Sequence, residues 1–404
     1  MTANPTNGTT TDPSVSVNDA VDRLLSQRDV LEVAAFLGNQ YDVGLAWPHF
    51  RPQWGGVGLG AEESRLLRRR LAAAGVPASP ASFVGLYQAS ALLHEAGSPE
   101  QRDRYLRRIF TGEDQWCQLF SEPGAGSDLA NVATRAVRVA DGWRVDGQKV
   151  WTSNARHATV GLLLARTDPS LPKHLGMTLF VIDMRDPGVE VRPLRQADGG
   201  ARFSEVFLSD VHVRDDQRLG PEGQGWALSM STLSNERDGA SDVFAVPVER
   251  LLSPWRDARD RHGAVLRDAV VGTWAESFLL DVSRARQRLT ADPRDSAVLR
   301  SIAKIAASEH VQRMSTVLAE VIGPDVLVAA DYDEASAEDR RRESVKAKDF
   351  ATLTPHRLVL RSRAMSIEGG TNQISRNIVG ERVLGLPPDI RVDKTGPWQD
   401  TARS

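Results

Sequence analysis

The sequence predicts an α+β multidomain chain in three successive parts: an N-terminal α-helical domain over 17–115, a central β domain over 116–225 and a C-terminal helical bundle over 226–404. Three observations predict that order. Before Trp116, apolar residues recur at helical spacing. From Trp116 onward, short runs alternate apolar and polar residues, and Gly, Pro and Asp separate them. After Gly220-Pro221-Glu222-Gly223-Gln224-Gly225 the helical spacing returns in long runs.

Residues 1–16 are rich in Thr, Asn, Pro, Ser and Gly with no large apolar residue after Met1 but valine, and read as a mobile tail. Val21, Leu24, Leu25, Val30, Val33 and Phe36 then predict a helix over 18–37. Trp47 to Gly60 reads as an ordered loop, and 62–74 as a helix with a strongly basic face. Pro77 and Pro80 interrupt the chain before helices over 82–95 and 99–110, the second opened by Ser98, Pro99 and Glu100. Strands are expected over 132–139 and 143–150 around an Asp141-Gly142 turn, then over 159–165, 177–183, 189–194 and 204–213. Long helices are expected over 226–251, 264–289, 296–322 and 346–382, which suggests an antiparallel bundle. Residues 331–349 carry seven acids and five bases and read as a solvated insertion.

Composition narrows the function. Hydrophobic residues at 41% and charged residues at 25% are ordinary globular values and argue against a disordered scaffold. The 50 basic and 53 acidic side chains leave no positive excess for a nucleic-acid backbone. A single cysteine, Cys117, excludes an internal disulfide, a cysteine-based zinc site and an iron–sulfur cluster. No apolar run is long enough for a membrane span, and the first residues lack a signal peptide's basic start and apolar core. The expectation is a soluble cytoplasmic enzyme with no metal.

Common catalytic motifs are missing: there is no P-loop, no G-x-S-x-G elbow and no H-E-x-x-H. Gly124-Ala125-Gly126 lacks the third glycine of a dinucleotide fingerprint. His94-Glu95 reads as a helix end, and His157, His174 and His212 are scattered. Four stretches remain. Phe120-Ser121-Glu122-Pro123-Gly124-Ala125-Gly126-Ser127-Asp128 is either a glycine-rich turn or a nest of backbone N–H groups suited to a pyrophosphate. Lys149-Val150-Trp151-Thr152-Ser153-Asn154 sets an aromatic face beside hydroxyls, fit to cover a flat heterocycle or to pack in a core. Thr232-Leu233-Ser234-Asn235-Glu236-Arg237 places an acid next to a base on a helix. Ile367-Glu368-Gly369-Gly370-Thr371-Asn372-Gln373 breaks a helix with two glycines, with Thr371 as candidate cap.

In this order, and within this layout, the four stretches resemble the acyl-CoA dehydrogenase family, over nearly the whole chain from Val17 to Pro388. The resemblance implies that family's fold, with a central β-barrel domain and a C-terminal four-helix bundle, and non-covalent FAD. By motif match, Gln118, Phe120, Ser121, Gly126 and Ser127 would line the flavin and its pyrophosphate. Trp151 would cover one flavin face, with Thr152 and Ser153 beside it and Ser153 near N5. Ser127, Arg237 and Gly370 would touch the thioester substrate, and Thr371 and Gln373 match late cofactor contacts. The implied reaction removes the α proton of an acyl-CoA, or an acyl-carrier-protein thioester, to a carboxylate base and passes the β hydride to flavin N5. The implied oxidant is an electron-transfer protein, and the implied assembly a homotetramer or an α2β2 heterotetramer.

Two departures sharpen these expectations. The base of most family members sits immediately before the Gly-Thr pair, where this chain has Gly369, and Glu368 is displaced by one residue. The isovaleryl-CoA dehydrogenase type takes its base from the helix after the β domain, which aligns on Glu236. Glu236 is therefore the expected base and Glu368 the minority alternative. Second, Arg288-Leu289-Thr290-Ala291-Asp292 keeps the arginine that reaches a neighbour's cofactor but lacks the aromatic and glycine that follow it in the family. That leaves open a cofactor-sharing or structural subunit of a heteromeric enzyme, or a flavin oxidase or monooxygenase on the same fold.

Overall fold

The computed structural model describes residues 13–233, 246–258, 260, 262–289, 293–328, 353–388, 390 and 395–400. Contacts divide the chain into two compact units, Met1–Trp116 and Cys117–Ser404.

The first unit holds α1 (Pro13–Ser26), α2 (Val33–Asp42), α3 (Ala61–Ala73), α4 (Ser90–Ala96) and α5 (Pro99–Thr111). Val21 and Leu24 of α1, Phe36 of α2 and Leu67 and Leu71 of α3 share one core with Leu45. At the start of α5, Ser98 Oγ accepts from Gln101 N–H at 3.2 Å and the Gln101 side chain accepts from Ser98 N–H at 3.0 Å, a reciprocal cap. Three expectations need correction. The tail ends earlier than residue 16, since α1 begins at Pro13. The helix expected over 18–37 is two helices, because turns at 27–31 return the chain and leave Val30 79% exposed. The helix expected over 82–95 opens as a π-helix, Val84–Ala89.

The second unit begins in a sheet of β1 (Trp116–Leu119), β2 (Arg135–Val139), β3 (Gly142–Ser153), β4 (Val160–Arg166), β5 (Met177–Asp183), β6 (Val189–Leu194), β7 (Phe203–Val213) and β8 (Arg218–Leu219). The order is β6-β7-β3-β2-β4-β5-β8, with β1 beside β4. Along that path the pairs are antiparallel except β2 with β4. Val139 pairs with Gly142, so the tight turn is Ala140-Asp141 and Gly142 opens β3. Trp143, Val145, Leu163, Phe180, Val206 and Val213 fill the sheet's core. The expected barrel is not closed among the described residues. At the end of the path β8 has two residues, both paired to β5, too short for a second ladder.

The helices after the sheet are α6 (225–233), α7 (Glu249–Ala258), α8 (Ala264–Leu289), α9 (Pro293–Ile322), α10 (Pro355–Ser362) and α11 (Asn372–Arg382). α9 is central: α7, α8, α10 and α11 all pack on it. Its Val311, Met314, Leu318 and Val321 share a core with Leu251, Val270, Leu358 and Met365. The helix expected over 226–251 is not continuous, since Val246 and Pro247 are non-helical before α7. The helix expected over 346–382 breaks where Gly369 and Gly370 take φ of 64° and 88°, values that end an L-residue helix. The insertion expected at 331–349 lies outside the described residues. Among the described residues no helix is long and apolar enough to cross a membrane.

Candidate active site

The first two motifs are joined by one buried side chain. Lys149 of β3 has no solvent exposure and donates to Phe120 O at 2.9 Å, Leu164 O at 2.7 Å and Glu122 Oε1 at 2.8 Å. Glu122 also accepts from the N–H groups of Ala133 at 2.6 Å and Thr134 at 2.9 Å. Burial pulls the Lys149 pKa down, against the raising pull of the Glu122 charge. Burial pushes Glu122 up, but the Lys149 charge and the hydrogen bonds outweigh it and hold the carboxyl below its ordinary value. Val150 N–H donates to Ser121 O at 2.9 Å, which lays the second motif along the first.

Glu122 and Ala125 exchange both backbone hydrogen bonds at 3.0 Å around Pro123-Gly124, a tight turn. A side chain added at Gly124 or Gly126 would meet nothing within 4 Å, and Ser127 is exposed. The loop therefore presents backbone to open space. Close by in sequence and ladder, Gln118 Nε2 and Thr152 Oγ1 are buried with no partner in the protein. Buried polar groups are nearly always bonded, and these two orphans, unlike those of Gln40 and Gln88 in the first unit, belong to the stretches next to the glycine loop and Trp151.

Trp151 is displayed by a bulge. Lys149 pairs with Val206 and Thr152 with Ser204, which puts one extra residue on β3. Trp151 takes the strain as a non-glycine residue with φ of 60°, and its side chain is 60% exposed. Thr152 points into the core and Ser153 is half-buried at the strand's end. The Trp151 ring stands edge-on to Phe203 at 6.0 Å, and the Arg361 guanidinium carbon lies 5.9 Å from the Phe203 ring centre.

That arginine leads to the fourth motif. Arg361 Nη2 pairs with Glu368 Oε2 at 2.6 Å, so Glu368, the minority candidate for the base, is engaged by a guanidinium. Thr371 Oγ1 caps α11 by accepting from Ile374 N–H at 3.1 Å. Lys304 Nζ and Ser308 Oγ of α9 both donate to Asn372 Oδ1 at 2.9 Å, which ties the loop to α9. Gly370 and Gln373 are exposed. Burial brings the Lys304 pKa down to about 8; Glu368 opposes the fall and Arg376 adds to it.

The structure thus gathers Gln118, Phe120, Ser121, Trp151, Thr152 and Ser153, and links them through Phe203 and Arg361 to the loop of Glu368, Gly370 and Thr371. Glu236 and Arg237 lie outside the described residues. Arg288 lies in α8, but its side chain is not described. The motif reading left Lys149 and Glu122 without a role. Strand parity carried the signal, since Lys149 shares the inward phase of Trp143 and Val145. Nothing in the sequence marked Phe203 or Arg361.

A helical unit is thus followed by a sheet with an open glycine loop, a displayed tryptophan and two orphaned polar groups, and then by a cluster of helices packed on α9. Three family models match in series: acyl-CoA dehydrogenase N-terminal domain over 26–113, middle domain over 117–211 and C-terminal domain over 223–384. The chain is 39% identical over 354 residues to acyl-CoA dehydrogenase FadE34 of Mycobacterium tuberculosis, which covers 86% of this chain and 45% of FadE34. The chain thus spans less than half the length of that relative. It is 32% identical over 353 residues to acyl-CoA dehydrogenase IpdE1 of the same organism, covering 86% of this chain and 85% of IpdE1. The ChsE4-ChsE5 complex from Mycobacterium tuberculosis shares the fold at a TM-score of 0.65 and 23% identity, over 96% of this chain and 100% of the matched one. The chain belongs to the acyl-CoA dehydrogenase family, whose members are FAD-dependent oxidoreductases.

Proposed function

We propose that the chain catalyses α,β-dehydrogenation of an acyl thioester with FAD held along the open loop at 121–127 and the face of Trp151. The observation that carries this reading is the junction of the two motifs by Lys149 and Val150, with the Gln118 and Thr152 orphans beside it. Their donor and acceptor atoms, and the space at Gly124 and Gly126, fit a polar aromatic cofactor carrying an anionic pyrophosphate. Ser127 and the neighbouring N–H groups would hold the pyrophosphate, and Trp151, Thr152 and Ser153 the ring. When bound, FAD supplies the acceptor for the β hydride.

The protein supplies the base. Glu236 takes the α proton, which leaves the trans-2-enoyl thioester once the hydride has gone. Engagement of Glu368 by Arg361 supports this choice, since that carboxylate would have to leave its guanidinium partner to reach a substrate proton. Arg237, its neighbour in sequence, would take the thioester's carrier arm, CoA or a carrier protein. An electron-transfer protein is the proposed oxidant. FadE34, more than twice the matched length, and the two-chain ChsE4-ChsE5 complex support assembly with a second copy or a homologous partner.

The test is anaerobic flavin bleaching by a panel of acyl thioesters, run on the wild type, Glu236→Gln and Glu368→Gln. The expected result is a yellow wild type bleached by at least one thioester. Glu236→Gln should retain FAD and lose about 10²–10⁴-fold in bleaching rate, the usual worth of a general base. Glu368→Gln should change far less. A protein that gains no flavin band, alone or with a homologous partner, sinks the reading. Loss of bleaching in Glu368→Gln with Glu236→Gln intact moves the base to the glycine loop. Rapid reoxidation in air would make the enzyme an oxidase.

A further inference from the structure

One element of the second unit has no part in the function described above. The segment 395–400 returns to the sheet beside the cofactor motif, and its Trp398 is buried to 4% exposure. The Trp398 indole N–H donates to Asn131 Oδ1 at 2.8 Å. Its backbone N–H donates to Leu171 O at 2.9 Å, and Gln399 N–H donates to Pro169 O at 3.0 Å. The indole face carries the guanidinium of Arg166, whose central carbon lies 4.5 Å from the ring centre.

Arg166 is itself buried at the end of β4 and grips the same surroundings. It donates to Ala130 O at 2.7 Å, Val132 O at 3.2 Å and Lys173 O at 2.8 Å. Lys173 Nζ reaches both carboxylate oxygens of Asp128 at 3.0 Å. Residues 128, 130, 131 and 132 are thus each held, directly or through Arg166, by the 166–173 strand end and the 398 ring. These residues are the exit of the glycine loop. The Glu122–Ala125 exchange fixes the turn itself, and nothing stands within 4 Å of where a side chain at Gly124 or Gly126 would be, so the backbone beyond Ala125 is held from the loop's exit.

We infer that Trp398 is a positioning residue for the cofactor loop: its ring and indole N–H clamp the loop's exit at Asn131 and Arg166 and so set where the backbone N–H groups of 124–127 point. A loop held at both ends loses less freedom when a ligand orders it, and that difference appears in affinity. The Lys149–Glu122 pair fixes the entry, and Trp398 fixes the exit. A residue that merely tied down a chain segment would need apolar contact alone. Here an aromatic face on Arg166 and a side-chain hydrogen bond to Asn131 act on the loop's exit, while two backbone hydrogen bonds anchor 398–399 to Leu171 and Pro169.

The inference rests on the reading that the 121–127 loop holds FAD, and the experiment separates the two. Apoprotein of the full chain is titrated with FAD by flavin fluorescence for Trp398→Phe, Asn131→Ala, Trp398→Ala and a loop control, Ser127→Val. Trp398→Phe and Asn131→Ala each remove the side-chain hydrogen bond and keep an aromatic ring at 398; each should raise the FAD Kd about threefold. Trp398→Ala removes both and should raise it about tenfold. At saturating FAD, kcat should stay within about twofold of wild type while the thioester KM rises. If Ser127→Val weakens FAD but Trp398→Phe and Asn131→Ala bind it like wild type, the clamp is only structural and the inference falls. If Ser127→Val also binds FAD unchanged, the cofactor reading of the loop falls instead. Should Trp398→Ala not fold, the two milder variants still decide.

Discussion

The sheet and the helices that follow it each bury a lysine, and they do so in opposite ways. Lys149 is sealed in the sheet with an ionised carboxylate at 2.8 Å and two carbonyls, so its charge has a fixed partner. Lys304 is half-buried on α9 and hydrogen-bonds a neutral amide, Asn372, with Glu368 felt only at a distance. The first arrangement locks a loop through a buried charge pair. The second leaves a group that titrates near pH 8 beside the glycine loop. The same division shows in apolar surface. β5 is buried at every position but its last, whereas α8 exposes Val271, Trp274, Phe278 and Val282 at helical spacing. A sheet that completes its own core can hold the glycine loop rigidly. Helices that leave a stripe of apolar side chains exposed are built to be covered.

The strongest test of that contrast is Lys149→Met. It strands the Glu122 carboxylate in the core, and removing one member of a buried pair costs about 3–5 kcal/mol. Denaturant unfolding should show that loss, and the protein should bind FAD weakly. Restoring neutrality with Glu122→Leu in the same chain should recover more than half of it. Lys304→Met should cost about 1 kcal/mol, the worth of one hydrogen bond. Equal losses at the two lysines would break the comparison.

Covering of α8 is the next expectation. Replacing Trp274 and Phe278, whose rings lie 6.5 Å apart on the exposed stripe, by Glu should leave the helix folded, because neither is in the core. Light scattering should find the wild type as a dimer or larger and the double variant shifted to smaller species. A wild-type monomer that binds flavin fully would show that the stripe has no partner in this protein.

Much of this was legible from residue order. The strands over 177–183 and 189–194 stand at the bounds that alternation gave, and α8 spans the helix that apolar spacing gave at 264–289. The Ser98 cap was read from three residues. What failed were continuous helices, because spacing of apolar residues ignores backbone geometry. Val30 keeps helical phase yet sits in a turn, and the span expected over 346–382 runs through Gly369-Gly370, although the glycine break and the Thr371 cap are themselves legible. At the site, the motifs named the loop and the tryptophan. The bulge that turns Trp151 outward depends on pairing with β7, and the Arg361–Phe203 link depends on packing between distant segments. Neither leaves a local trace. Trp398 was invisible for the same reason: its partners, Asn131 and Arg166, are more than 200 residues away in sequence.

The smallest effect expected is the pH response of Lys304. Folded, it titrates near pH 8; an unperturbed lysine does so at 10.5. Below about pH 8 both the folded and the unfolded chain carry the proton, and the full cost of holding the charge away from water is in force. Between the two values the unfolded chain binds more proton, so stability contributed through this residue rises with pH. Above 10.5 both forms are neutral and the cost is gone. The charged groups that face it, Glu368 from the loop and Arg376 from α11, oppose each other, which leaves burial as the main cause. Solvent reaches about half of the side chain and screens the effect, so the gain should be about 1 kcal/mol rather than the full value of the shift. Stability measured from pH 7.5 to 10.5 should rise for the wild type relative to Lys304→Met by that amount. Lys304→Arg keeps its charge throughout and should show no such rise. A wild type that tracks Lys304→Met in parallel across the window would mean that Lys304 is as permanently charged as Lys149 is paired, and the contrast between the two lysines would reduce to one of burial alone.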